Sequence, residues 1–186
     1  REDGLLRIVP GLGTRAVDRV SDDYSVLVAP GQPNLRVNVS ADEIIRYSPK
    51  KMDLIDLECN CFDTRDVKEI LREVGQDFPA LPQVISIFRD GLMQRPMGIA
   101  TDLGLDETVV TFDGLVTGTS FLPQLEGILK TLESVLGFPV DIEFASDGTD
   151  FYLLQCRPQS YSADDVAMEI PARLPQESVL FTANRF

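Results

Sequence analysis

Apolar and polar residues alternate strictly in two neighbouring segments toward the C-terminal end of the chain. In residues 140–145, Val, Ile and Phe alternate with Asp, Glu and Ala, and a similar alternation runs through residues 151–157. A period of two is typical of a β-strand. Between the segments lies the sequence Ser-Asp-Gly-Thr, residues 146–149, in which glycine can take the positive φ of a tight turn. The pattern therefore predicts a β-hairpin.

The length of the hairpin loop decides which side chains share a face. A two-residue turn would place Glu143 and Gln155 on opposite faces. A loop of three residues, 147–149, places four polar side chains together: Asp141, Glu143, Gln155 and Arg157. Two carboxylates, an amide oxygen and a guanidinium suit magnesium and a polyphosphate, so we expect the three-residue loop. The alternative is an ordinary sheet with one solvated face.

The clearest helical pattern directly precedes the hairpin. Its apolar positions follow a spacing of three and four residues: Phe121, Leu125, Ile128, Leu129, Leu132, Val135 and Leu136. Thr119 or Ser120 is expected to cap it, and Gly137 to end it. We expect this stripe to pack on the apolar face of the hairpin, formed by Val140, Ile142, Phe144, Tyr152, Leu154 and Cys156.

Shorter patterns predict the remaining elements. Strands are expected at residues 5–9, 24–28, 35–39, 52–57, 84–88, 108–112 and 178–181. One helix is expected to begin at Ser40, with a capping box to Glu43. Another is expected to be capped by the segment Asp63-Thr-Arg-Asp66 and to end at Gly75. Asp113 and Gly114 are expected to form a turn. The sum is an α+β fold with a mostly antiparallel sheet and packed helices.

Composition narrows the class of protein. The chain has 186 residues, of which 44% are hydrophobic, enough for one globular domain with a sizeable core. Its net charge of −13 argues against an extended nucleic-acid surface, which needs clustered Lys and Arg. The apolar runs are too short to cross a bilayer, so no membrane contact is expected.

Cysteine and histidine content excludes two kinds of stabilising site. The three cysteines are too few for a disulfide framework, and the chain has no histidine to complete a zinc site. Cys59 and Cys61 are interpreted as structural, and a reducing cytoplasm is the expected location.

Two glycines near the N-terminal end form the other candidate site. Gly11-Leu-Gly13-Thr14-Arg15 follows a short apolar run and Pro10. Glycine lets a backbone approach a ligand closely. A lone G-x-G is also typical of a simple turn, and both interpretations stay open on these residues alone.

The hairpin carries a resemblance to a known family. "PVDIEFA" at residues 139–145 and "YLLQCRP" at residues 152–158, with Glu143 and Gln155 twelve positions apart, resemble the end of the nucleotide-binding domain of the pyruvate phosphate dikinase and phosphoenolpyruvate synthase family. The resemblance implies an ATP-grasp fold that binds ATP and Mg²⁺. It also implies that Glu143, Gln155 and Asp141 hold the metal, while Asp141 and Arg157 lie beside the phosphates and Arg157 takes part in catalysis.

The glycine segment extends this resemblance. In the family, Gly-Leu-Gly is commonly followed by Glu and later by a Pro-Asp-x-Tyr-like segment, and this chain has Asp22-Asp23-Tyr24. Thr14 stands where the acidic residue is usual. The resemblance implies that Gly11 and Gly13 contact the nucleotide and that Arg15 faces phosphates.

The same resemblance implies an organisation and a function. Residues 1–160 would be the C-terminal portion of the ATP-grasp domain, and residues 161–186 an exit linker toward a following domain. We expect a fragment that is inactive alone. In the whole enzyme, phosphate would pass from ATP to a histidine and then to pyruvate, on other domains of the parent protein or on a partner chain. Two alternatives stay open: the nucleotide domain of an antibiotic (rifampicin-type) phosphotransferase, and a non-catalytic regulatory module.

Overall fold

The computed structural model of the protein describes residues 4–17, 23–32, 38, 40–96 and 107–159. The helices and strands, in chain order, are β1 (Leu6–Ile8), α1 (Thr14–Val17), β2 (Val26–Val28), α2 (Ala41–Arg46), β3 (Lys51–Asp56), β4 (Cys61–Asp66), α3 (Val67–Val74), a 3-10 turn (Gly75–Asp77), α4 (Leu81–Val84), β5 (Ile85–Arg89), β6 (Leu92–Gln94), β7 (Glu107–Val110), α5 (Asp113–Gly118), α6 (Phe121–Leu136), β8 (Val140–Ser146) and β9 (Phe151–Pro158).

Antiparallel pairing joins the strands in small groups. β1 pairs with β2, β3 with β4, and β8 with β9, while β5 lies between β6 and β7. Helices lie between these groups in the chain. The predicted α+β class with antiparallel sheets is therefore confirmed.

One apolar cluster unites these elements. It includes Ile70 and Leu71 of α3, Ile85 of β5, and Phe121 and Leu125 at the start of α6. Leu71 and Ile85 are each only 1% exposed. The sheets are small, so most of the stability must come from this shared burial of apolar surface.

Several predicted helix ends are confirmed. Ser40 and Glu43 form the reciprocal capping box of α2, and the Asp66 carboxylate accepts a hydrogen bond from the Lys68 N–H at 2.8 Å to begin α3. Gly137 ends α6 in the left-handed region, at φ 80°. At α6 the cap comes from Thr119, whose hydroxyl oxygen accepts from the Phe121 N–H at 3.1 Å.

Several elements were not predicted, among them the short α1 and β6. β4 carries the sequence CFDTRD, in which charged residues obscure the strand pattern. α4 and α5 are short, and α5 begins after Phe112, which lies at φ 54°. The predicted turn at Asp113 and Gly114 is therefore wrong, because both residues belong to α5. The predicted strands 35–39 and 178–181 fall largely or wholly outside the described residues.

The turn between β3 and β4 contains a disulfide, which the small number of cysteines did not predict. Cys59 and Cys61 form a disulfide, with their Cα atoms 5.3 Å apart. Such a short loop restricts the unfolded chain little, so the bond contributes little stability through loop entropy.

Helix α6 is buried over only part of its length. Phe121, Leu122 and Leu125 are buried, whereas Val135 is 78% exposed. The predicted stripe is therefore confirmed for the first half of the helix and wrong at its C-terminal end. Within the described residues, no helix is both long and apolar enough to cross a membrane.

Candidate nucleotide and metal site

Strands β8 and β9 bring the four predicted polar side chains to one face. Asp141 lies opposite Arg157, and Glu143 lies opposite Gln155. Residues that face each other across an antiparallel pair project from the same side of the sheet. The predicted juxtaposition of these four residues is thus present in the structure, while their roles toward a ligand stay predictions.

The loop that produces this arrangement differs from the predicted one. Ser146 pairs with Phe151, which leaves a loop of four residues, 147–150. If the strands paired regularly beyond this loop, Glu143 would lie opposite Leu154. A β-bulge between Glu143 and Phe144 adds one residue on the β9 side and restores the shared face. The three-residue loop is therefore wrong, although its consequence for the face holds.

Hydrogen bonds to one carboxylate fix the loop. Asp147 Oδ1 accepts from the N–H groups of Asp150 at 2.8 Å and Thr149 at 2.9 Å, and Oδ2 accepts from the Tyr152 hydroxyl at 3.1 Å. These bonds, led by the one from Asp150, lower the pKa of Asp147. Gly148 lies at φ 93° against Ala80 and could carry no side chain without displacing it.

The opposite face of the hairpin packs on the core. The Phe144 ring stacks on Phe151 at 5.0 Å between centroids and lies 5.9 Å from Phe121 of α6. Ile142 is also partly buried there. Tyr152, Leu154 and Cys156 were predicted on this face in contact with the helix, but all three are exposed. For Tyr152 and Leu154 the prediction fails because the bulge shifts the alternation, so that Phe151 faces the core instead. Cys156 keeps its predicted place opposite Ile142 but is exposed there.

One cation lies between two carboxylates on the polar face, which leaves these three side chains with a net charge of −1. Arg157 Nε lies 3.5 Å from Asp141 Oδ2, and its Nη2 lies 3.5 Å from Glu143 Oε1. The side chains are 54% (Arg157), 58% (Asp141) and 42% (Glu143) exposed. Exposed ion pairs of this kind contribute less than about 1 kcal/mol each. The three groups can therefore turn toward a ligand at little cost.

The oxygen donors of this face suit magnesium better than a metal that takes all of its ligands from the protein. No group of three or more His, Cys, Asp or Glu side chains able to hold a metal occurs among the described residues. Magnesium commonly binds through one or two carboxylates, with water and phosphate oxygens completing its shell. Asp141, Glu143 and the Gln155 amide oxygen meet that requirement.

The glycine segment is fixed against strand β3. Gly11 forms a parallel bridge with Asp53, and the Leu12 N–H donates to the Asp53 carbonyl at 2.8 Å. A Cβ on Gly11 would lie 2.3 Å from Met52 Cγ, and φ is 76°, so only glycine fits. Beside Gly13, in contrast, a Cβ would meet nothing within 4 Å. Gly11 is therefore a packing glycine, and Gly13 borders open space.

Asp53 is the residue of this region that sequence analysis missed. It is 5% exposed, and its carboxylate accepts from Thr14 Oγ1 at 2.6 Å, Arg15 Nε at 2.9 Å and Thr64 Oγ1 at 2.7 Å. Burial alone would raise the pKa of Asp53, but these hydrogen bonds and the Arg15 charge outweigh it and lower the pKa. Its partners Thr14 and Arg15 are 39 and 38 positions away, so no local pattern identifies it.

Arg15 also reaches a second carboxylate. Its Nη1 lies 3.5 Å from Asp23 Oδ2, and Asp23 accepts from the backbone N–H groups of Lys50 and Lys51 at 2.8 and 2.9 Å. The side chain of Arg15 is only 14% exposed. The structure thus directs Arg15 to Asp53 and Asp23, and its predicted contact with phosphates stays a prediction.

A separate cavity lies between β2, α2 and the start of α5. Its volume is about 390 Å³, within the range of small-molecule sites. The residues that line it are Tyr24, Ser25, Val26, Leu27, Asn38, Ile44, Tyr47, Ser48, Val110, Thr111 and Asp113. This lining includes neither the polar face of the hairpin nor the glycine segment, so sequence analysis did not anticipate it.

Comparison with known proteins gives one match. A model of the family described as pyruvate phosphate dikinase, AMP/ATP-binding domain, matches residues 1–178. No curated protein and no solved structure matches the chain. The matched range contains both the glycine segment and the hairpin. Because the match covers nearly the whole chain, the protein belongs to the family of the AMP/ATP-binding domain of pyruvate phosphate dikinase.

Proposed function

We propose that the chain is the ATP- and magnesium-binding part of an ATP-grasp phosphotransferase resembling phosphoenolpyruvate synthase. The observation that carries this proposal is the shared face of Asp141, Glu143, Gln155 and Arg157 on β8 and β9. Membership of an AMP/ATP-binding family supports the nucleotide, and the hard oxygen donors of this face support the metal.

Each side chain has a role in this proposal. Asp141, Glu143 and Gln155 would hold Mg²⁺ directly or through water, and Arg157 would bind phosphate oxygens through its guanidinium. A bound magnesium ion would supply positive charge that neutralises the phosphates. Arg157 lies between the two carboxylates, so its guanidinium could contact the phosphate oxygens next to the metal.

The acceptor in this proposal is provided elsewhere. The 186 residues contain no histidine. A phosphohistidine intermediate would therefore form on another domain of the parent protein or on a partner chain, and pyruvate would bind to a further, separate domain. An antibiotic acceptor would use the same nucleotide face, and the acceptor domain decides between the two.

Glu143→Gln tests the proposal in the full-length protein. The change keeps the size of the side chain and removes the charge that would face magnesium. Metal stabilisation of the transition state is worth several kcal/mol, so we expect phosphoryl transfer from ATP to fall by about 100-fold or more. The measurement is the rate of ATP consumption over a range of Mg²⁺ concentrations.

Glu126→Gln is the matched control. Glu126 also pairs with a cation, since its Oε2 lies 3.4 Å from Lys130 Nζ, but it lies on α6. It should leave the rate unchanged. Normal turnover of the Glu143 variant at saturating magnesium would refute the assignment.

A regulatory module that binds nucleotide without transferring phosphate is the second candidate. Thr14 and Arg15, which stand in the glycine segment, are both engaged by Asp53. Binding of ATP by the full-length protein without phosphate transfer, either to its own residues or to an added partner chain that carries the acceptor histidine, would favour this second function.

A further inference from the structure

Three segments of the chain meet at the carboxylate of Asp53. The glycine segment contributes Thr14 and Arg15, β4 contributes Thr64, and Asp53 itself belongs to β3. The main chain adds a further link, because the Leu12 N–H donates to the Asp53 carbonyl. The side chain and the backbone of Asp53 therefore both hold the turn formed by the glycine segment, residues 11–15.

These contacts fix the position of the turn. A buried carboxylate is costly unless its oxygens are hydrogen-bonded and its charge is paired. Movement of the turn would remove two of the donors on which Asp53 depends. On the other side, a Cβ on Gly11 would clash with Met52 Cγ and the Asp53 carbonyl oxygen, so the segment packs on β3 more closely than any residue with a side chain allows.

The fixed turn has one open side. Asp53 is too deeply buried to reach a ligand itself. Gly13, two residues after the packed glycine, has open space where a side chain would be. A ligand can therefore approach the turn at Gly13 while Asp53 supports it from the protein interior.

We propose that Asp53 is a positioning residue for the nucleotide: through Thr14 and Arg15 it holds the Gly11–Arg15 turn so that Gly13 can approach the phosphates. This inference rests on the proposed function, because it takes the ligand to be ATP. It differs from that proposal in assigning a role to a buried carboxylate that never touches the nucleotide. Thr14, where the family commonly has an acid, then serves to anchor the turn.

Two threonines on the same carboxylate allow a matched test. Thr14 and Thr64 both donate a hydroxyl hydrogen to Asp53, at 2.6 and 2.7 Å. Thr14 belongs to the turn, whereas Thr64 lies opposite Asp53 in the β3–β4 pair. Thr14→Val and Thr64→Val make the same chemical change, and Thr14→Ser keeps the hydroxyl. The measurement is the Kd for ATP with Mg²⁺ by calorimetry, together with the Tm of each full-length variant.

Thr14→Val should raise the Kd by about tenfold, the equivalent of about 1.4 kcal/mol, as expected for one hydrogen bond to a charged group. Thr14→Ser should restore the Kd of the natural protein. Thr64→Val should lower the Tm and leave the Kd within about twofold.

Two results would overturn the inference. Equal effects of the two valine changes on the Kd, or a Thr14→Val protein with normal affinity, would show that Asp53 acts on stability alone. If the natural full-length protein does not bind ATP, the proposed function fails and the inference fails with it.

Discussion

Asp53 shows how one buried charge depends on donors from distant parts of the chain. Its lowered pKa means that folding favours the ionised form. The resulting stability is fully present above the unfolded pKa, near 4, and is lost as the pH falls through the lower folded value.

Asp53→Asn should therefore destabilise the protein in a pH-dependent way. At pH 7 we expect a loss of about 2 kcal/mol, because Arg15 loses the closer of its two carboxylate partners and keeps only Asp23. The gap between natural and variant proteins should narrow below about pH 4, where this carboxyl takes up a proton in the unfolded chain before it does so in the folded protein. Urea unfolding at a series of pH values measures it, and a gap that stays constant from pH 7 to pH 3 would contradict the argument.

The hairpin β8–β9 illustrates what can be predicted at the scale of an element. Alternation, a glycine turn and a helix that stops at Gly137 were sufficient to predict the hairpin and its polar face. The loop of four residues and the bulge were not predicted. Several combinations of loop length and bulge place Glu143 and Gln155 on one face, and the sequence alone does not choose between them. The contacts of Asp53 were missed for a different reason, since tertiary partners leave no local pattern.

Two single-residue deletions test the bulge. Removing Leu154 takes out the extra residue, so Gln155 stays opposite Glu143 and Arg157 opposite Asp141. Removing Cys156 instead makes Gln155 and Arg157 direct neighbours in the strand, so these two side chains can no longer share a face. In the full-length protein, we expect the first deletion to retain ATP affinity and the second to lose it by at least about tenfold.

Thermal unfolding of both deletion variants is the control. The ion pairs of Arg157 are exposed, so their loss should cost less than about 1 kcal/mol each and both variants should remain folded. Loss of ATP binding in a folded protein that lacks Leu154 would argue that the bulge itself, and not the shared face, matters.

At the scale of the whole molecule, exposure limits what the 186 residues can bind alone. The charged side chains of the polar face are between 42% and 58% exposed, whereas ligand sites usually bury most of the ligand surface. The net charge of −13 also opposes the approach of an anionic nucleotide. We therefore expect these residues by themselves to bind ATP only weakly, with a Kd well above micromolar.

Calorimetry with and without Mg²⁺ measures this affinity. Magnesium should strengthen what binding there is, because it offsets charge on both the nucleotide and the face. Micromolar affinity of the 186-residue chain would show that the described face is already a complete site.

The bulge also has a consequence for recognising distant relatives. The same polar face can also form without the bulge, if the strands pair regularly and the loop has five residues instead of four. Glu143 and Gln155 are twelve positions apart in both arrangements. Alignments anchored on the turn glycine would then place a gap between two proteins whose polar faces are equivalent. A search pattern should instead hold the acidic and amide positions at constant distance and leave the intervening residues unconstrained.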